Sequence, residues 1–95
     1  LMKLTVLGAG LVGSAIIKDL AQDANFDVTV VDINQKALSK LKAEAPVKGV
    51  QADLGQSERI PALIADAELV VCAVPGFMGF RTLELIIRAG KDVVD

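Results

Sequence analysis

Leu4-Thr5-Val6-Leu7-Gly8-Ala9-Gly10-Leu11-Val12-Gly13 is the stretch on which the reading of the whole 95-residue chain turns. Its first half is a short apolar run of the kind that forms a buried parallel strand. Its second half breaks into three spaced glycines, after which Val12, Ala15, Ile16 and Leu20 recur at helical spacing. Strand, Gly-x-Gly-x-x-Gly, helix is an order with a physical purpose. Gly8 allows a sharp exit from the strand, because it takes positive φ without steric cost. Gly10 removes a side chain where a phosphate group must approach the backbone, and Gly13 lets the helix lie close to the strand. The first amides of the helix, and the positive end of its dipole, then face the anion.

Three glycines by themselves are equally well read as a turn between packed elements. A second marker separates the two readings. Phe26-Asp27-Val28-Thr29-Val30-Val31-Asp32 is another β-branched run, and it ends in an acid 19 residues beyond Gly13. A carboxylate at the tip of the second strand is the group that accepts the ribose hydroxyls of a bound dinucleotide. The two markers together point to a dinucleotide site; a degenerate site on the same fold is the alternative.

Composition narrows the class. Ninety-five residues make one domain. Hydrophobic residues reach 53%, an excess expected of strands covered on both faces. The net charge is −2 with mixed signs, which argues against a nucleic-acid footprint. No apolar run is long enough for a membrane span, and no secretory signal opens the chain. One cysteine permits no internal disulfide and accords with a cytoplasmic location. Histidine, tyrosine and tryptophan are absent, so the commonest general acid–base side chain is missing.

Taken in order, the chain predicts strand one over Lys3–Leu7, helix one over 11–22 and strand two over Asp27–Val31. Asn34 is the expected N-cap of a second helix, with Ala37, Leu38, Leu41 and Ala45 inward and Lys36, Ser39, Lys40 and Lys42 solvated. Pro46 ends it. Val47–Gln51 is strand three. Gln56 or Ser57 opens a third helix with Ile60, Leu63 and Ile64 inward, Pro61 being tolerated in its first turn. Leu69–Val74 is strand four, Gly79–Ala89 a fourth helix capped by Gly90, and Lys91–Val94 strand five. Unbroken alternation of strand and helix predicts an α/β fold: a doubly wound, Rossmann-type parallel sheet in the order 3-2-1-4-5. Ligands bind such sheets at the carboxyl ends of strands one and four, where the order reverses.

Candidate cofactor-binding residues converge on that edge: Gly8, Ala9, Gly10, Leu11, Val12 and Gly13 in the turn; Asp32 and Ile33 after strand two; Asp53 and Leu54 after strand three; Ala73, Val74 and Pro75 after strand four. Asp32 both accepts ribose hydroxyls and repels a 2′-phosphate, and no arginine follows it, which favours NAD over NADP. It is also placed to cap a helix. Asp53 either meets the adenine edge or serves its own turn. Cys72, inside an apolar strand, reads as a small buried residue. Phe77, Met78 and Phe80 either pack under the fourth helix or await a second domain, the reading preferred here. Arg81 is read as a surface arginine before a substrate contact. No residue of the chain is a candidate metal ligand.

Val6-Leu7-Gly8-Ala9-Gly10-Leu11-Val12-Gly13, Gln51-Ala52-Asp53-Leu54, Ala73-Val74-Pro75-Gly76-Phe77-Met78-Gly79-Phe80 and Lys91-Asp92-Val93-Val94-Asp95 together resemble the N-terminal domain of the saccharopine dehydrogenase superfamily. Within it, Pro75-Gly76-Phe77-Met78-Gly79-Phe80 is most similar to lysine 6-dehydrogenase. The glycine fingerprint is common to many families; the segment after strand four and the strand-five ending carry the specificity. The resemblance implies NAD- or NADP-dependent oxidation of a C–N bond in a lysine-derived amine. It also implies a substrate and dimerisation domain beyond strand five, so the chain is expected to be the cofactor-binding part of a longer enzyme, inactive alone, with its catalytic residues elsewhere. The competing reading is a non-catalytic nucleotide sensor similar to the regulatory domains of potassium channels. Those domains do not typically carry the Pro-Gly-Phe-x-Gly-Phe segment.

Overall fold

A computed structural model describes residues 1–74 and 76–94 of the chain, without the side chains of Leu11, Val12, Gly76 and Phe77. Five parallel strands form one sheet: β1 (Met2–Leu7), β2 (Phe26–Asp32), β3 (Lys48–Gln51), β4 (Leu69–Cys72) and β5 (Asp92–Val94), in the order β3-β2-β1-β4-β5. The helices are α1 (Leu11–Ala21), α2 (Gln35–Glu44), the single turn α3 (Ile60–Leu63) and α4 (Gly76–Arg88), with a 3-10 turn at Ser57–Arg59. The expected doubly wound sheet is therefore observed, strand order included.

Alternation along the strands divides the core in two. Leu4, Val6, Val28, Val30 and Val71 join Ile17 of α1 and Leu38 and Leu41 of α2 on one face. Leu7, Val31, Val70 and Cys72 join Ile60, Ile64 and Ile86 on the other. The distribution of helices follows from right-handed crossovers, which reverse sides when the chain returns from β3 to β4. Cys72 is buried, as expected.

Ends and stripes differ from the sequence expectation in several places. The inward stripe of α1 is Gly13, Ile17 and Ala21 with Leu20 packed beside them as expected, while Ala15 is exposed and Ile16 is 41% exposed. The helix is rotated so that bare Gly13, rather than a larger side chain, meets the sheet. Strand β4 stops at Cys72, before Ala73 and Val74, although the Ala73 amide still bonds the Leu7 carbonyl. Helix α4 starts at Gly76, three residues before its expected beginning, because Phe77, Met78 and Gly79 are helical rather than a loop. It ends at Arg88, one residue early, with the expected glycine cap. Gly90 has φ +74°; its amide reaches the Ile87 carbonyl and that of Lys91 the Ile86 carbonyl, the paired bonds of a Schellman cap. Asn34 caps α2 through its side chain, which accepts from the Ala37 amide at 3.1 Å.

Candidate functional site

Register sets the site. Leu7 of β1 is level with Val31 of β2 and Cys72 of β4, so Gly8, Asp32 and Ala73 come next, side by side on the carboxyl edge. Backbone bonds extend the ladder into this edge: Gly8 N–H to the Val31 carbonyl at 2.8 Å, Ala73 N–H to the Leu7 carbonyl at 2.8 Å, and Ala52 N–H to the Asp32 carbonyl at 3.1 Å. These main-chain bonds align the carboxyl ends of β1, β2, β3 and β4 with one another.

Each glycine of the first turn meets a different environment. Gly8 has φ +99°, and a Cβ there would lie 2.6 Å from the Ala73 carbonyl oxygen. A Cβ at Gly13 would lie 3.2 Å from the Gly8 carbonyl oxygen and 3.6 Å from the Ala73 Cβ; this is the close helix–strand contact. Gly10 is the exception. Its backbone is extended (φ −64°, ψ −178°), and a Cβ would meet nothing within 4 Å. Neither backbone conformation nor packing within the protein asks for glycine at position 10. Open space in front of a bare residue is the cradle an approaching ligand group needs.

Gly10 is also the N-cap of α1 and, having no side chain, makes no capping bond to the first amides. Such first-turn amides lack intrahelical partners and face outward with the positive end of the dipole. Ser14 closes the turn from behind, its hydroxyl donating to the Ala9 carbonyl at 3.1 Å.

Asp32 stands across from this turn and is tied to it. One carboxylate oxygen accepts from the Ala9 amide at 2.7 Å, and the other from the Asn34 amide at 2.8 Å. Next to it, Gln51 at the end of β3 donates from Nε2 to the Ile33 carbonyl at 3.1 Å. The sequence gives no hint of the Ala9 bond, which joins residues 23 apart. The role of Gln51 follows from register, since it pairs with Asp32.

A cleft of about 1010 Å³ opens on this edge, lined among others by Gly10, Asp32, Ile33, Asp53, Ala73 and Val74. Ile33 presents a 59% exposed apolar side chain there, whereas Leu54 is buried. Asp53 accepts from the Gly55 amide at 2.8 Å, so it does serve its own turn, at the cleft wall. The cleft continues down the sheet face past Leu69, Val71 and Val94. Among the described lining residues there is no lysine or arginine, so a bound anion would be met by peptide dipoles.

Of the expected site residues, the structure brings together Gly8, Ala9, Gly10, Gly13, Asp32, Ile33, Asp53, Leu54, Ala73 and Val74 around this cleft. Pro75 lies outside the described residues, and so do the side chains of Leu11 and Val12. Met78, assigned by sequence to a cluster with Phe77 and Phe80, instead lines the cleft and packs on the second core. Phe80 is 76% exposed, and Arg81 pairs with Glu84 on its own helix at 2.5 Å. Among the described residues no group of acids or cysteine could hold a metal ion, and no helix is long and apolar enough to cross a membrane.

Known proteins share this architecture. Saccharopine dehydrogenase (L-Glu forming) from Saccharomyces cerevisiae superposes with a TM-score of 0.86 at 23% identity, over 97% of this chain and 21% of that one. Scyllo-inositol dehydrogenase from Lactobacillus casei, with bound NAD(H) and scyllo-inositol, gives 0.78 at 21% identity, over 97% and 26%. Mannitol-1-phosphate 5-dehydrogenase of Shouchella clausii (strain KSM-K16) is 31% identical over 90 residues, which cover 77% of this chain and 24% of that protein. The chain thus spans about a quarter of that curated relative. Residues 4–95 match the family described as the saccharopine dehydrogenase NADP binding domain: the chain belongs to that family of oxidoreductase nucleotide-binding domains.

Proposed function

We propose that this chain is the cofactor-binding domain of an NAD-dependent dehydrogenase acting on a C–N bond of a lysine-derived amine. The observation that carries the cofactor reading is the open space at Gly10, beside a bare helix end and across from the Asp32 carboxylate. In this reading the first-turn amides of α1 take the pyrophosphate, Asp32 takes the adenosine ribose, and exposed Ile33 offers apolar surface to the adenine. Ala73 and Val74 form the inner wall toward the nicotinamide. The cofactor, when bound, supplies the hydride acceptor; the protein orients it and sets its electrostatic surroundings.

NAD is favoured over NADP by the carboxylate of Asp32, held in place by two amides. A 2′-phosphate would bring negative charge against it, and no arginine follows in the turn to receive that phosphate. The family description names NADP, so the nucleotide choice rests on this residue rather than on kinship. The amine substrate rests on the segment from Pro75 to Phe80, and the substrate domain, a homodimer and a cytoplasmic location belong to the same proposal.

Titration calorimetry of this chain with NADH and NADPH tests the cofactor. Binding of NADH at micromolar to submillimolar concentration, tighter than NADPH, is expected. No heat from either at millimolar concentration overturns the reading, and tighter NADPH reverses the preference. For the substrate, the polypeptide containing this domain should reduce NAD with lysine or saccharopine; turnover confined to polyols would remove the amine assignment.

A further inference from the structure

We infer that Asp32 is a positioning residue for the pyrophosphate turn as well as a ribose ligand, so that nucleotide choice and turn geometry depend on one carboxylate. The inference rests on the proposed dinucleotide site and deepens it. The bond that carries it joins the tip of β2 to the glycine turn of β1: Ala9 N–H to Asp32 Oδ2 at 2.7 Å. A charge-assisted bond of this length, partly shielded from solvent, is among the stronger kinds.

Lone-pair counting shows how both roles fit one side chain. An ionised carboxylate offers about four acceptor positions. The Ala9 and Asn34 amides occupy one on each oxygen. One position on each oxygen is left, which matches the two hydroxyls of a vicinal diol. The Ala9 amide, for its part, is turned toward Asp32 and away from a phosphate. Anion binding therefore falls to the amides of α1, whose placement depends on Ala9 being held.

The same bonds keep Asp32 from moving aside. Its carbonyl accepts from Ala52, its oxygens from Ala9 and Asn34, and Gln51 pins the Ile33 carbonyl. Accommodating a 2′-phosphate by rotating the carboxylate away would break two of these bonds and release the turn. Removing Asp32 should therefore weaken NADH and fail to strengthen NADPH.

Two probes separate the roles: ADP, and 2′,3′-dideoxy-ADP, which keeps the pyrophosphate and lacks the diol. Calorimetry on the wild-type chain, Asp32→Ala and Asp32→Asn is the experiment. Asp32→Ala should weaken dideoxy-ADP about tenfold, the loss of one buried-edge hydrogen bond. Asp32→Asn keeps one acceptor oxygen, enough for the Ala9 amide but not also for that of Asn34, so it should recover part of the dideoxy-ADP affinity lost in Asp32→Ala, while the preference for ADP over dideoxy-ADP shrinks. The Ala9 amide proton should move upfield in Asp32→Ala and stay near its wild-type shift in Asp32→Asn, a readout that needs no ligand. Unchanged dideoxy-ADP affinity in Asp32→Ala, or a gain in NADPH affinity, overturns the positioning role. Wild-type chain that binds neither ADP nor NADH overturns the underlying nucleotide reading instead.

Discussion

Gly8 and Ala73 are closer than any side chain at position 8 would allow: a Cβ on Gly8 would stand 2.6 Å from the Ala73 carbonyl oxygen. The obstacle is backbone, held in the ladder by the Ala73 amide on Leu7, so it cannot yield as a flexible side chain would. The positive φ of Gly8 adds strain for any L-residue. Gly8→Ala should lower the unfolding free energy by about 3 kcal/mol, combining dihedral strain with overpacking. A urea midpoint within error of wild type would contradict this.

Gly10→Ala should behave in the opposite way. The added methyl meets no protein atom and the backbone is already extended, so stability should change by less than about 0.5 kcal/mol. Cofactor affinity should nonetheless fall at least about tenfold, because the methyl occupies the space of the incoming phosphate. Paired urea melts and NADH titrations check both halves; retained affinity would detach Gly10 from the site.

Neighbouring isoleucines of α1 give a second contrast. Ile17 is fully buried in the first core and Ile16 is 41% exposed. Ile17→Ala should cost about 2–4 kcal/mol, the usual range for a buried large-to-small change. Ile16→Ala should cost less than about 1 kcal/mol. Equal losses in chemical denaturation would mean that α1 is rotated from the orientation described.

Legibility of the sequence ended where distance along the chain stopped standing in for distance in space. Strand order, the glycine turn and Asp32 could be read because each depends on local period or on a motif with fixed spacing. The α1 stripe could be read only in part: Leu20 packs on the first core, but Ala15 and Ile16 are exposed, and only the tight approach of Gly13 to Gly8 and Ala73 turns Ile17 and Ala21 inward in their place. The start of α4 was missed for a similar reason. Two glycines around Phe77 and Met78 read as a loop, yet packing of Met78 on the second core favours helix there. The Asp32–Ala9 bond and the Gln51–Ile33 bond were invisible because they depend on the register of β1, β2 and β3.

Lys18 of α1 is ion-paired with Glu44 of α2. The hydrogen bond from Lys18 holds the Glu44 carboxyl below its ordinary value. A carboxyl depressed in the folded state stabilises it fully above the unfolded value, and that contribution is lost as pH falls through the folded one. Lys18→Met should therefore raise the Glu44 titration midpoint, and high salt should raise it part of the way, since both groups face solvent. Carbon-13 carboxyl shifts followed from pH 7 into the acid range measure it; an unmoved midpoint would show that the pair does not persist in solution.

Anion recognition in the glycine turn is assigned almost wholly to peptide amides, with one acid and a few bare positions fixing where they stand. Any amino acid except proline contributes such an amide, whereas Ala9, whose amide goes to Asp32 and whose side chain is buried in the first core, is held to a small residue. Mutational tolerance around the cleft should accordingly be narrow at Gly8, Ala9, Gly10, Gly13 and Asp32, where what matters is an absent or small side chain or a single negative charge.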